Sequence, residues 1–98
     1  MDHYLLVAPT GGISRLDRPS LIEHAEIREL LGGDFITETW DLLNWTLTRC
    51  FNPEPASDAN VKFIPKRGYV LIGGSEKGRL SGLRKDEWEP ILLQLSAM

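Results

Sequence analysis

Cysteine is nearly absent from this 98-residue chain, Cys50 being the only one. A single cysteine excludes an intramolecular disulfide and a cysteine-based zinc site within one chain, and it fits a reducing compartment. Histidine is almost as scarce, with His3 and His24 alone, and no spaced set of His, Cys and carboxylates forms a metal-ligand pattern. No apolar run approaches the roughly 20 residues of a transmembrane helix. The apolar run at residues 4–8 is too short and wrongly flanked for a secretory signal. The expectation is a cytoplasmic protein with no membrane association, no metal and no cofactor.

What is present is the composition of a folded domain. Hydrophobic residues make up 42% and charged residues 26%, the balance of a globular rather than a disordered chain. The length suits one domain over residues 1–98, with a modest core and marginal stability unless an oligomer adds to it. Three tryptophans, Trp40, Trp45 and Trp88, supply large apolar surfaces. Core packing accounts for at least two of them, and one left on the surface would mark an interface.

Along the chain, residues 4–8 are continuously apolar and end at Pro9, which predicts a strand buried on both faces. A Thr-Gly-Gly turn and residues 13–17 then predict a hairpin partner. Ser20 and Glu23 match the capping-box spacing ahead of Leu21, Ala25, Ile27, Leu30 and Leu31, which recur at helical intervals. Gly32 and Gly33 follow where a left-handed cap is expected. His24 on this helix reads as a surface or boundary residue. Residues 34–40 are β-branched and aromatic and predict a strand. Asp41 or Asn44 is placed to cap a short helix running through Leu47 and Cys50. Residues 52–60 have loop composition. At the C-terminal end, Asp86 and Glu89 frame another capping box. Pro90 implies either a helix starting there or a turn feeding a kinked helix.

Charge is divided unevenly. Residues 1–59 hold four arginines against ten acidic residues, a balance of −6, and residues 60–98 hold seven basic residues against four acidic, a balance of +3. Five of the eleven basic residues lie in residues 61–83, where three apolar runs alternate with two basic, turn-rich loops, the signature of a strand meander. Such a bipolar surface suits an anion, a polyanion or a second copy of the chain. The net charge of −3 argues against a nucleic-acid duplex as partner, and the basic residues lack the interleaved aromatics of single-strand binders.

The frame from Gly73 to Gly78 has the glycine spacing of a phosphate-binding loop. Arg79 and Leu80 stand where Lys and Ser/Thr are required, and the context is strand–turn–strand rather than strand–loop–helix. The glycines therefore read as turn residues able to take positive φ. An anion held by basic loop tips remains open, with Lys66, Arg67, Lys77, Arg79 and Arg84 as candidate ligand-binding residues gathered across a subunit boundary. Catalytic candidates are none. Cys50 has no neighbouring His, and Ser14, Asp17 and His24 form only the kind of set that any small protein offers. The carboxylates of Glu23, Glu26, Glu29 and Glu38 form a candidate acidic docking face for a partner.

Several short features also resemble a family of small uncharacterised proteins of bacteriophages and mobile elements. They are the N-terminal apolar strand, Leu30 to Gly33 with a strand after it, Asn44 to Thr48, and Tyr69 to Gly73 running into Gly78 to Leu83 and then Asp86 to Trp88. The resemblance implies a stoichiometric accessory protein in the host cytoplasm. It would bind a host protein, as anti-CRISPR and other anti-defence proteins do, or sequester a small anionic nucleotide; a homo-oligomer would bring the basic loops together for that. The combined expectation is an α+β domain: a mostly antiparallel sheet of about five short strands, packed by two or three helices, acting by binding rather than catalysis, with a small enzyme of unknown reaction as the third alternative.

Overall fold

The computed structural model describes residues 1–52 and 69–97. Two helices and a six-stranded sheet account for them, and every strand pairing is antiparallel. The elements run β1 (Asp2–Val7), β2 (Ile13–Arg18), α1 (His24–Leu31), β3 (Ile36–Leu42), β4 (Trp45–Phe51), β5 (Val70–Glu76), β6 (Arg79–Ser81) and α2 (Lys85–Ser96). In space the strands lie β2-β1-β5-β4-β3, with β6 on β5.

The sheet is covered by one helix on each face. Alternation along the strands sorts the side chains. Leu5, Val7, Leu47, Val70 and Ile72 share one face with Leu83, Ile91 and Leu95, which puts α2 on that side. Tyr4, Cys50 and Leu71 share the other with Ile22, Ile27 and Leu31, beneath α1. Each fully buried Leu, Ile or Val contributes about 1.5–3 kcal/mol relative to exposure, so both helices are held chiefly by these contacts.

The first hairpin follows the sequence reading, and the strand expected at residues 34–40 lies two residues later, as β3 at Ile36–Leu42. Residues 45–51 do not follow that reading: they form β4, not a helix, pairing with β3 from Ile36↔Phe51 to Leu42↔Trp45. Leu47 and Cys50 have helical spacing, but Trp45, Thr46 and Thr48 favour a pleated surface. Leu43 supplies the turn by taking a left-handed backbone, φ 54°.

Helix α1 also begins later than Ser20 implies. Its first residue is His24, with Glu23 at the N-cap and no side-chain cap bond. The preceding segment is fixed instead from the sheet: the Tyr4 hydroxyl accepts a hydrogen bond from the Ile22 N–H at 3.1 Å, and the Ile22 side chain is buried. At the other end, Gly32 is left-handed (φ 79°) and the Gly33 N–H bonds Arg28 O at 2.9 Å, as the paired glycines led one to expect. Helix α2 starts at Lys85 and continues through Pro90. It is anchored at its start by Glu87, whose carboxylate accepts from the Arg84 N–H at 3.0 Å.

The glycine frame is divided between strand and turn. Gly73 and Gly74 lie inside β5, and only Lys77 and Gly78 form the turn, with φ of 54° and 79°. Both being left-handed, they make the tight hairpin connection whose twist matches the flanking strands. Gly73 serves a close approach instead: a Cβ there would lie 2.5 Å from Ser81 O and 2.7 Å from a Leu80 methyl. Of the meander expected over residues 61–83, β5 and β6 are seen. Its first apolar run lies outside the described residues, with nearly all of the 52–60 loop.

Candidate functional site

The β5–β6 hairpin brings the surviving basic candidates to one place. Lys77 sits in the turn and Arg79 opens β6, and both are exposed. With Glu76, Leu80, Ser81 and Leu21 they line an open cleft of about 550 Å³. Neither cation has an ion-pair partner among the described residues, whereas Arg15, Arg18, Arg28, Arg49 and Arg84 all do. Lysine and arginine side chains that outnumber the one carboxylate, Glu76, beside a hydroxyl and two leucines can hold a carboxylate or phosphate attached to an apolar group.

Arg84 is not part of this cluster. It precedes α2, beyond β6, and lies 3.5 Å from Asp86 and 3.4 Å from Glu87. Lys66 and Arg67 lie outside the described residues. The acidic candidates are also divided. Glu23 and Glu29 are exposed on α1 and its cap, and Glu26 is ion-paired with Arg18. That pairing holds the Arg18 guanidinium above its ordinary pKa. Glu38 lies across the sheet on the α2 face, bonded to Arg49 at 2.8 Å, because it shares its alternation with Trp40 and Leu42. No single acidic face contains all four.

A second cleft adjoins the first. Arg18, Pro19, Ser20, Ile22, Glu23 and Glu26 line it, and Leu21 alone belongs to both. Leu21 is 57% exposed although its neighbour Ile22 is anchored in the core. It therefore stands as a fixed apolar ridge between a basic cleft and an acidic one. The sequence reading counted Leu21 among the apolar residues at helical spacing, which concealed this ridge.

On the α2 face, the sequence reading missed a group centred on Trp88. His3 Nδ1 lies 2.7 Å from Asp17 Oδ1, and the Arg15 guanidinium sits 4.5 Å above the Trp88 ring. The His3 contact, followed by Arg15, holds the Asp17 carboxyl below the ordinary aspartate range. The pair was legible in principle, since the first hairpin's register, Val7↔Ile13, sets His3 opposite Asp17. The imagined set of Ser14, Asp17 and His24 is not assembled: Asp17 faces His3, and His24 stacks on Phe35, with ring centroids 4.8 Å apart. A similar stack places Arg49 over Trp40 and Phe51. All three tryptophans are half-buried against the α2-side core. Cys50 is buried, and burial pushes its thiol pKa up, away from the reactive thiolate.

Among the described residues no group of three or more His, Cys, Asp or Glu could hold a metal, and no helix is long and apolar enough to cross a membrane. Comparison with family models, curated proteins and solved structures finds no match.

Proposed function

We propose that this chain is a non-enzymatic accessory protein of a phage or mobile element that inhibits a host defence system by stoichiometric binding of a host protein. The observation that carries this reading is the pair of cations at the hairpin cleft, Lys77 and Arg79, which have no ion-pair partner among the described residues and face a single carboxylate there, Glu76. An acidic segment of a partner, flanked by an apolar side chain, would place its carboxylates on the cations and its apolar group against Leu21 and Leu80. Positive charge held at a surface in this way speeds and orients association with an acidic partner.

The size of the cleft favours a second reading. About 550 Å³ falls within the roughly 300–1,000 Å³ of small-molecule sites. Lys77 and Arg79 would then hold the phosphate of a nucleotide signal, with Ser81 as a further donor, and the protein would act as a sponge.

One pair of experiments separates these readings. Tagged wild-type protein and Lys77→Glu/Arg79→Glu are compared for capture of host proteins from lysate, and for the shift in melting temperature with a panel of nucleotides. A host protein captured by the wild type and lost with the double variant supports inhibition. A nucleotide-specific rise in melting temperature, lost in the same variant, supports sequestration. Partners and nucleotides that bind both proteins equally would refute the hairpin as the binding surface.

A further inference from the structure

We propose that two copies of this chain associate across the Leu21 ridge, in a two-fold dimer that pairs the basic cleft of each with the acidic cleft of the other. The ridge carries an exposed leucine at its crest, 57% accessible. On one side, Lys77 and Arg79 outnumber Glu76. On the other, Glu23 and Glu26 outnumber Arg18. A surface with opposite charges on the two sides of an apolar crest is self-complementary under a half-turn about an axis through that crest. The rotation sets the cations of one copy over the acids of the other, twice, and brings the two Leu21 side chains together. This is the isologous geometry that closed dimers use.

The backbone suits the role. Ile22 is buried and its N–H is held by the Tyr4 hydroxyl, so Leu21 is presented by an anchored segment and little order need be lost on docking. Lys77 is set by a tight turn and Arg79 by the β6 ladder. The contact is small and partly ionic, so it belongs to the weak, salt-sensitive class of interfaces. The same two cations serve the binding reading above, so an anionic partner at the hairpin competes with the second copy.

The test is sedimentation equilibrium over a wide concentration range, at low and high salt. Wild-type protein should approach the mass of a dimer at low salt and return toward monomer at high salt. Leu21→Glu, Glu23→Lys and Lys77→Glu/Arg79→Glu should each be monomeric at concentrations where the wild type dimerises, with unchanged circular dichroism. Mixing Glu23→Lys with Lys77→Glu/Arg79→Glu should restore a dimer, because each variant then offers the charge that the other lacks. A wild type that stays monomeric throughout, a dimer indifferent to Leu21→Glu, or a mixture that stays monomeric would each overturn the proposal. Glu23 lines only the acidic cleft, so Glu23→Lys removes the dimer while leaving anion binding at the hairpin intact, and the two readings can fail separately.

Discussion

At the scale of single residues, Tyr4 does two things at once. Its ring fills the α1-side core and its hydroxyl holds the Ile22 N–H. Burial raises its pKa, with the Ile22 bond acting in the opposite direction. Tyr4→Phe keeps the ring and orphans a buried N–H, so it should cost about 1–3 kcal/mol, read from chemical denaturation at constant m-value. Asp17 gives a dependence on pH. Its carboxyl titrates lower in the folded chain than in the unfolded one, so its stabilising effect is complete above the ordinary aspartate pKa. The effect is lost as pH falls through the lowered folded value. Melting temperatures measured from about pH 4 downward should fall less steeply for Asp17→Asn than for the wild type. Equal slopes would show that the His3 contact is not maintained in solution. Neither contact could be read from composition, because Tyr4 and Ile22, like His3 and Asp17, meet only once strand register is set.

At the scale of elements, what was legible depended on whether the local signal matched the tertiary outcome. Residues 4–8 are continuously apolar and end at Pro9, residues 13–17 follow a Thr-Gly-Gly turn, and the two stretches form a hairpin. Gly32 and Gly33 close α1 because their backbone can take the left-handed cap. The β3–β4 turn had no such marker: Leu43 occupies a left-handed conformation that leucine disfavours, so nothing local announced a two-residue connection. Non-glycine residues held this way carry roughly 1–2 kcal/mol of strain. Leu43 is 68% exposed, so little packing is lost on replacing it. Leu43→Gly should therefore stabilise the chain by up to about 1 kcal/mol after glycine's own entropy cost, seen as a higher melting temperature. A lower one would show that Leu43 contributes contacts that outweigh its strain. The hairpin cleft was half legible. Lys77 and Arg79 stood out as a basic tip, but Leu21 was assigned to a helix face, and its exposure follows from the late start of α1.

For the molecule as a whole, the division into two faces decides both stability and surface. Helix α2 closes the larger core, and Ile91 is fully buried within it. Ile91→Ala should cost about 2–5 kcal/mol, a large share of the roughly 5–15 kcal/mol typical of a domain, and urea titration would show it. The charge asymmetry of the two halves of the sequence becomes, on the α1 side, the charge step across Leu21. The strand order has a separate consequence. Consecutive strands form all the ladders among the described residues except β1–β5, where Val7 meets Val70. The ladders thus fall into two local groups, β1–β2 and β3 to β6, joined by the β1–β5 ladder, by the His3–Leu83 bridge and by the packing of α1 and α2 across both groups, and closing these non-local contacts costs the most loop entropy. A chain cut between Gly33 and Asp34 should reassemble from its two fragments, regaining on mixing the circular dichroism that neither shows alone, with the β1–β5 ladder as the site of complementation.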